Sequence, residues 1–106
     1  MANPWAGEVA VTLNGKPHVA KLTLGALAEL EEALGSQSLF DLVQRFETGA
    51  FSARDVLALL LAGLRGGVWQ GSMDDLRRVE IGGGPVGAAR AAAEVLARAF
   101  SMPERP

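Results

Sequence analysis

The sequence predicts an α+β fold, mostly α: an N-terminal antiparallel β-hairpin followed by about five short helices in a compact bundle. Three observations predict it. Two alternating apolar and polar segments flank an Asn-Gly pair, the strongest short-range hairpin signal. A Ser-x-x-Asp start signal recurs at Ser38, Ser52 and Ser72. Glycines at 35, 49, 66, 67 and 82–84 divide the remainder into Ala/Leu-rich stretches with helical spacing.

In the first strand Val9, Val11 and Leu13 alternate with Glu8, Ala10 and Thr12. In the second, Ala20, Leu22 and Leu24 alternate with Val19, Lys21 and Thr23. Asn14 and Gly15 tolerate the positive φ of a type I′ turn. A two-residue turn there puts Val9 opposite Ala20 and Glu8 opposite Lys21, with the apolar sets on one face and the ion pair on the other. A four-residue loop keeps the same faces. An isolated hairpin is marginal in water, so helices must cover its apolar face.

The first helix follows with almost no linker, on a stripe of Leu24, Leu27, Leu30 and Leu34. Glu29, Glu31 and Glu32 fall largely outside that stripe, and Gly35 closes it. The second helix occupies about residues 38–47. The third opens at Ser52, and Val56, Leu57, Leu59, Leu60, Leu61 and Leu64 leave it almost no polar face. A helix apolar nearly all round is buried, so the third is the central helix. A short fourth helix follows Ser72. The fifth runs over about residues 86–100, with Val86, Ala89, Ala93, Leu96 and Phe100 as its stripe. Residues 1–106 read as one domain: hairpin about 8–24, helical part about 25–100, and a loose, proline-bearing tail at 101–106.

Composition narrows the function. Hydrophobic residues make up 49%, enough for a real core. Lys+Arg is 10 against 12 for Asp+Glu, a net charge of -2, and a duplex-binding domain needs a basic surplus. Cysteine is absent, which removes disulfides, thiolate zinc sites and thiol catalysis. No secretory pattern opens the chain, and the longest apolar run, 56–64, is far short of the ~20 residues a membrane span needs. The expected location is cytoplasmic, with no membrane role.

The polar motifs do not converge on chemistry. Gly82, Gly84 and Gly87 spell G-x-G-x-x-G, but a dinucleotide loop must follow a parallel strand, and none is predicted before it. His18 is the only histidine and has no partner for a metal or a nucleophile. Glu29, Glu31, Glu32, Asp74 and Asp75 read as solvated helix faces. No catalytic residue, cofactor or metal is expected. Trp5 and Trp69 lie outside regular elements, where tryptophan either plugs a core edge or anchors a partner. Phe46 and Phe51, flanking a helix-helix turn, read as core. Arg90 and Arg98, two turns apart, suit intramolecular ion pairs or a partner with an acidic stripe.

Asn3, Pro4, Gly7, Glu8 and Val9, the hairpin, and the segment TLGALAELE at 23–31 resemble the small tail protein of the gene transfer agent family, also described as a phage tail assembly chaperone or tail tube family. The stretch at 51–56 and Ala62, Gly63, Leu64 and Arg65 resemble it as well, so the likeness covers nearly the whole chain. Ala6 departs from it, standing where many members carry a basic residue. The resemblance implies a defective-prophage cluster in an alphaproteobacterium. It also implies a chaperone that binds the helical, aggregation-prone tape measure protein before the tail tube polymerises. On that reading Trp5, Trp69, Leu57, Leu61, Leu64 and Arg90 are the expected partner contacts. The alternatives are a structural tube or connector subunit and, more remotely, a DNA-binding regulator. A homo-oligomer is left open.

Overall fold

A computed structural model describes residues 7–100. Two strands, β1 (Val9–Leu13) and β2 (Lys16–Ala20), precede five helices: α1 (Leu24–Leu34), α2 (Leu39–Thr48), α3 (Ala53–Gly66), α4 (Met73–Arg78) and α5 (Gly84–Phe100). The expected fold class is the observed one. Trp5, Ala6 and the tail at 101–106 lie outside the described residues.

The hairpin turns on two residues. Asn14 and Gly15 have φ of 51° and 81°, as a type I′ turn requires, and Val9 pairs with Ala20. Val9, Val11, Leu13 and Ala20 are buried together. Past Ala20 the chain leaves the ladder, because the Lys21 N–H donates to the Gly63 carbonyl of α3 at 2.8 Å. The ladder therefore stops before Glu8 and Lys21. Thr23 then caps α1, its hydroxyl accepting from the Ala26 N–H. Leu24, expected in the apolar set of both strand and helix, is instead 84% exposed at the first helical position. Ala26 and Leu30 are the residues that α1 buries.

Ser38, Ser52 and Ser72 each form a full capping box, with Asp41, Asp55 and Asp75 returning the bond to the cap N–H. α3 is central, packing on α1, α4, α5 and β2. Its Leu59, Leu60 and Leu64 are fully buried, joined in the core by Leu30, Leu42, Leu76 and Val95. Each such side chain contributes about 1.5–3 kcal/mol by leaving water.

The stripe of α5 is rotated from the expected one. Ala88, Ala92, Val95 and Leu96 are buried, whereas Val86 and Phe100 are 67% and 53% exposed. The reason is Gly63. α3 presents no side chain there, and Val95 Cγ1 lies 3.2 Å from where a Cβ would stand, so the Val95 face of α5 packs directly on the bare backbone.

The glycine motif at 82–87 is structural. Ile81 forms an antiparallel bridge with Leu13, Gly82 N–H donates to Thr12 O at 2.9 Å, and Asn14 N–H donates to Glu80 O at 2.8 Å. An antiparallel bridge cannot belong to a β-α-β unit. Gly83 has φ of 83°, and a Cβ on Gly87 would stand 3.1 Å from the Gly82 carbonyl carbon and overlap its oxygen. The turn needs glycine for its geometry.

Candidate interaction surface

Grooves run between the helices, and two of them have apolar walls. The first lies between α1 and α3. Leu30 and Ala33 form one wall, Ala58, Leu61 and Ala62 the other, and Met73 closes one end around a cavity of about 450 Å³. Ala33 and Ala58 leave room because neither projects beyond Cβ. Glu29, Glu32 and Arg65 also line it. Arg65 Nη1 stands 3.5 Å from Glu29 Oε1, and both side chains are about half exposed. An ion pair that loose and wet contributes little. The second groove, about 310 Å³, lies between α2 and α5 and is lined by Val43, Phe46, Leu96, Phe100 and neighbours.

Phe46 stacks on Phe51 with ring centroids 4.6 Å apart, and both pack against the core as expected. Beneath them a charge pair fastens α2 to α3. Arg45 donates from Nε and Nη2 to the two oxygens of Asp55 at 2.8 and 2.9 Å. The Asp55 carboxylate also accepts from the Ser52 N–H at 3.0 Å. The Arg45 hydrogen bonds, opposed by burial and aided by Ser52, hold the Asp55 carboxyl below its usual range; the same contact raises the Arg45 guanidinium. This partly buried pair is fully satisfied, which marks it as a structural clamp.

The expected contact residues do not form one patch. Leu61 lines the α1–α3 groove. Leu57, one turn away on α3, is half-buried against the core. Leu64 has 0% exposure and offers a partner nothing in this fold, because the central helix turns that face into the core between its neighbours. Trp69 is half-buried, its indole folded over Gly71; a Cβ there would stand 2.7 Å from Trp69 Cε2. Arg90 is exposed on α5, and Arg98, two turns on, pairs with Glu94 at 3.4 Å. Trp5 lies outside the described residues. The groove residues that sequence reading passed over are Ala33, Ala58 and Met73, together with Glu32, which reads as a solvated charge until α3 is seen beside it.

The hairpin contributes two edges of different kinds. On the β2 side, a Cβ on Gly67 would stand 2.7 Å from the Val19 carbonyl carbon and overlap its oxygen, and Gly66 bears the same relation to Lys21. Backbone at the end of α3 thus covers the far end of that edge; nearer the turn Lys16 and Pro17 are exposed, and Pro17 has no N–H to donate. On the β1 side only the end is covered, where residues 80–82 bond to Thr12 and Asn14. Ala10, two residues back on the same outward side, is exposed and has no outward backbone partner among the described residues.

Among the described residues no group of three or more His, Asp or Glu is placed to hold a metal ion, and no helix is long and apolar enough to cross a membrane. The described residues present grooves between helices and an exposed stretch of strand edge. The chain belongs to the family described as phage tail tube protein, GTA-gp10, whose model matches residues 6–102. It is thus a member of a phage tail family of gene transfer agents, as its sequence resemblance implies. Neither comparison with curated proteins nor comparison with solved structures yields a match.

Proposed function

We propose that this chain is a tail assembly chaperone that holds a helical segment of the tape measure protein before the tube forms around it. The asymmetry of the two hairpin edges carries this reading over that of a tube subunit. A ring built by strand addition needs complementary edges on both sides of each subunit, since head-to-tail contacts must propagate until they close. Here the end of α3 abuts the β2 edge at Gly66 and Gly67 and Pro17 offers that edge no N–H, whereas Ala10 of β1 is exposed with no backbone partner on its outward side among the described residues. One open edge supports a single neighbour. The inter-helical grooves suit a partner helix, a general mode of peptide recognition. The net charge of -2 weighs against a DNA-binding regulator.

Such a chaperone acts in the cytoplasm of the producing cell and carries out no reaction of its own. Co-expression with the tape measure protein of the same gene cluster is expected to raise that protein's soluble yield several-fold. Quantitative mass spectrometry of purified particles is expected to find this chain absent or far below tube stoichiometry. Presence at tube stoichiometry would select the structural alternative.

A further inference from the structure

We infer that the α1–α3 groove receives a helix whose apolar ridge is flanked by lysine or arginine, an inference that rests on the reading of this chain as a holder of protein partners. The charge pattern of α1 carries it. Three helices follow the helix dipole at both ends and α5 follows it at its C-terminus; the dipole favours acids at the N-terminus and bases at the C-terminus. α2 has Asp41 in its first turn and Arg45 in its last; α3 has Asp55 and Arg65; α4 has Asp74 and Asp75, then Arg77 and Arg78; α5 ends on Arg98. α1 alone among the five has no base in its last turn, and it carries Glu29, Glu31 and Glu32 from its midpoint on.

Glu29 and Glu32 are three residues apart, so they share a helix face, and that face lines the groove. Arg65 answers only Glu29, at 3.5 Å. Among the described residues Glu32 has no ion-pair partner. The free protein thus bears misplaced negative charge beside an apolar trough. A cationic helix would cover Ala33, Leu61 and Met73 and neutralise both carboxylates in one step.

The groove chemistry is tested with two synthetic 20-residue helical peptides sharing one Leu/Ala ridge, flanked in one by lysines and in the other by glutamates. Fluorescence anisotropy at low salt should show the lysine peptide binding at least tenfold tighter, with the preference lost in Glu29→Gln/Glu32→Gln. Equal binding, no binding, or a preference that survives the double substitution would overturn the inference. So would sedimentation showing the groove filled by a second copy, that is, a dimer which the lysine peptide cannot dissociate. The double variant should keep or raise its thermal midpoint, so a loss of binding is not a loss of fold. Co-expression with the tape measure protein separates the two levels. If wild type and variant raise its yield equally, the groove assignment falls and the chaperone reading stands; if neither raises it, the chaperone reading itself falls.

Discussion

Gly66→Ala should destabilise the protein, against the rule that alanine stabilises helices. Gly66 is the last residue of α3. In an open helix the change would gain about 0.5–1 kcal/mol from reduced chain entropy. Here the new methyl would overlap the Lys21 carbonyl oxygen and stand 3.2 Å from its carbon and 3.4 Å from the Ala26 Cβ. The obstacle is backbone, which cannot rotate aside. The Lys21 segment must retreat, and its N–H is the group bonded to the Gly63 carbonyl at 2.8 Å. Overpacking costs about 1–3 kcal/mol and loss of that bond about 0.5–1.5 kcal/mol. The net is a destabilisation of about 1–3 kcal/mol, or a midpoint lowered by at least 4 °C for a chain of this size. Gly25→Ala is the matched control: its nearest neighbour would be Thr23 Oγ1 at 3.9 Å, so it should stabilise by about 0.5 kcal/mol. Urea unfolding of both variants measures the contrast. If Gly66→Ala stabilises the chain as Gly25→Ala does, the hairpin is not clamped to α3 in the way described.

Asp55→Ala removes the Arg45 partner and the carboxylate half of one capping box together and should cost about 2–4 kcal/mol in urea unfolding. The Asp55 carboxyl lies below its usual range when folded, so its stabilisation is present above the unfolded value near pH 4 and is lost as pH falls through the folded value. Acid titration of stability should therefore show a slope that Asp55→Asn reduces, with the exposed, Ser72-bonded Asp75 adding to it in the same sense. Val68 is β-branched, has φ of 67° and is 83% exposed. Val68→Gly should stabilise by about 1 kcal/mol in thermal unfolding, because glycine reaches that conformation freely.

The hairpin, three capped helices and the central position of α3 were legible in the sequence because each has a local cause. Asn14-Gly15 sets its own turn, and each Ser-x-x-Asp closes on itself within three residues. What was not legible depends on distant backbone. The face of α5 turns on the absence of a side chain at Gly63, and the burial of Leu64 on which side of an all-apolar helix meets its neighbours. Leu24 suited a strand or a stripe by pattern, but the Thr23 cap placed it at an exposed first position. The groove was hidden for the same reason: Glu32 and Ala58 belong to helices that only tertiary packing sets side by side.

Asn14 forms half of the hairpin turn and also holds the strand that crosses beside it, its side-chain oxygen accepting from the Glu80 N–H at 2.8 Å and its own N–H donating to Glu80 O. The two residues are 66 positions apart. At a usual synthesis rate of about 5–20 residues per second, the tip of the hairpin waits roughly 3–13 s for its partner to be made. During that wait Thr12 and Asn14 stand without the partners that residues 80–82 will bring them. The order of synthesis thus makes the N-terminal strand the last part of the sheet to be finished, although it is the first part to exist.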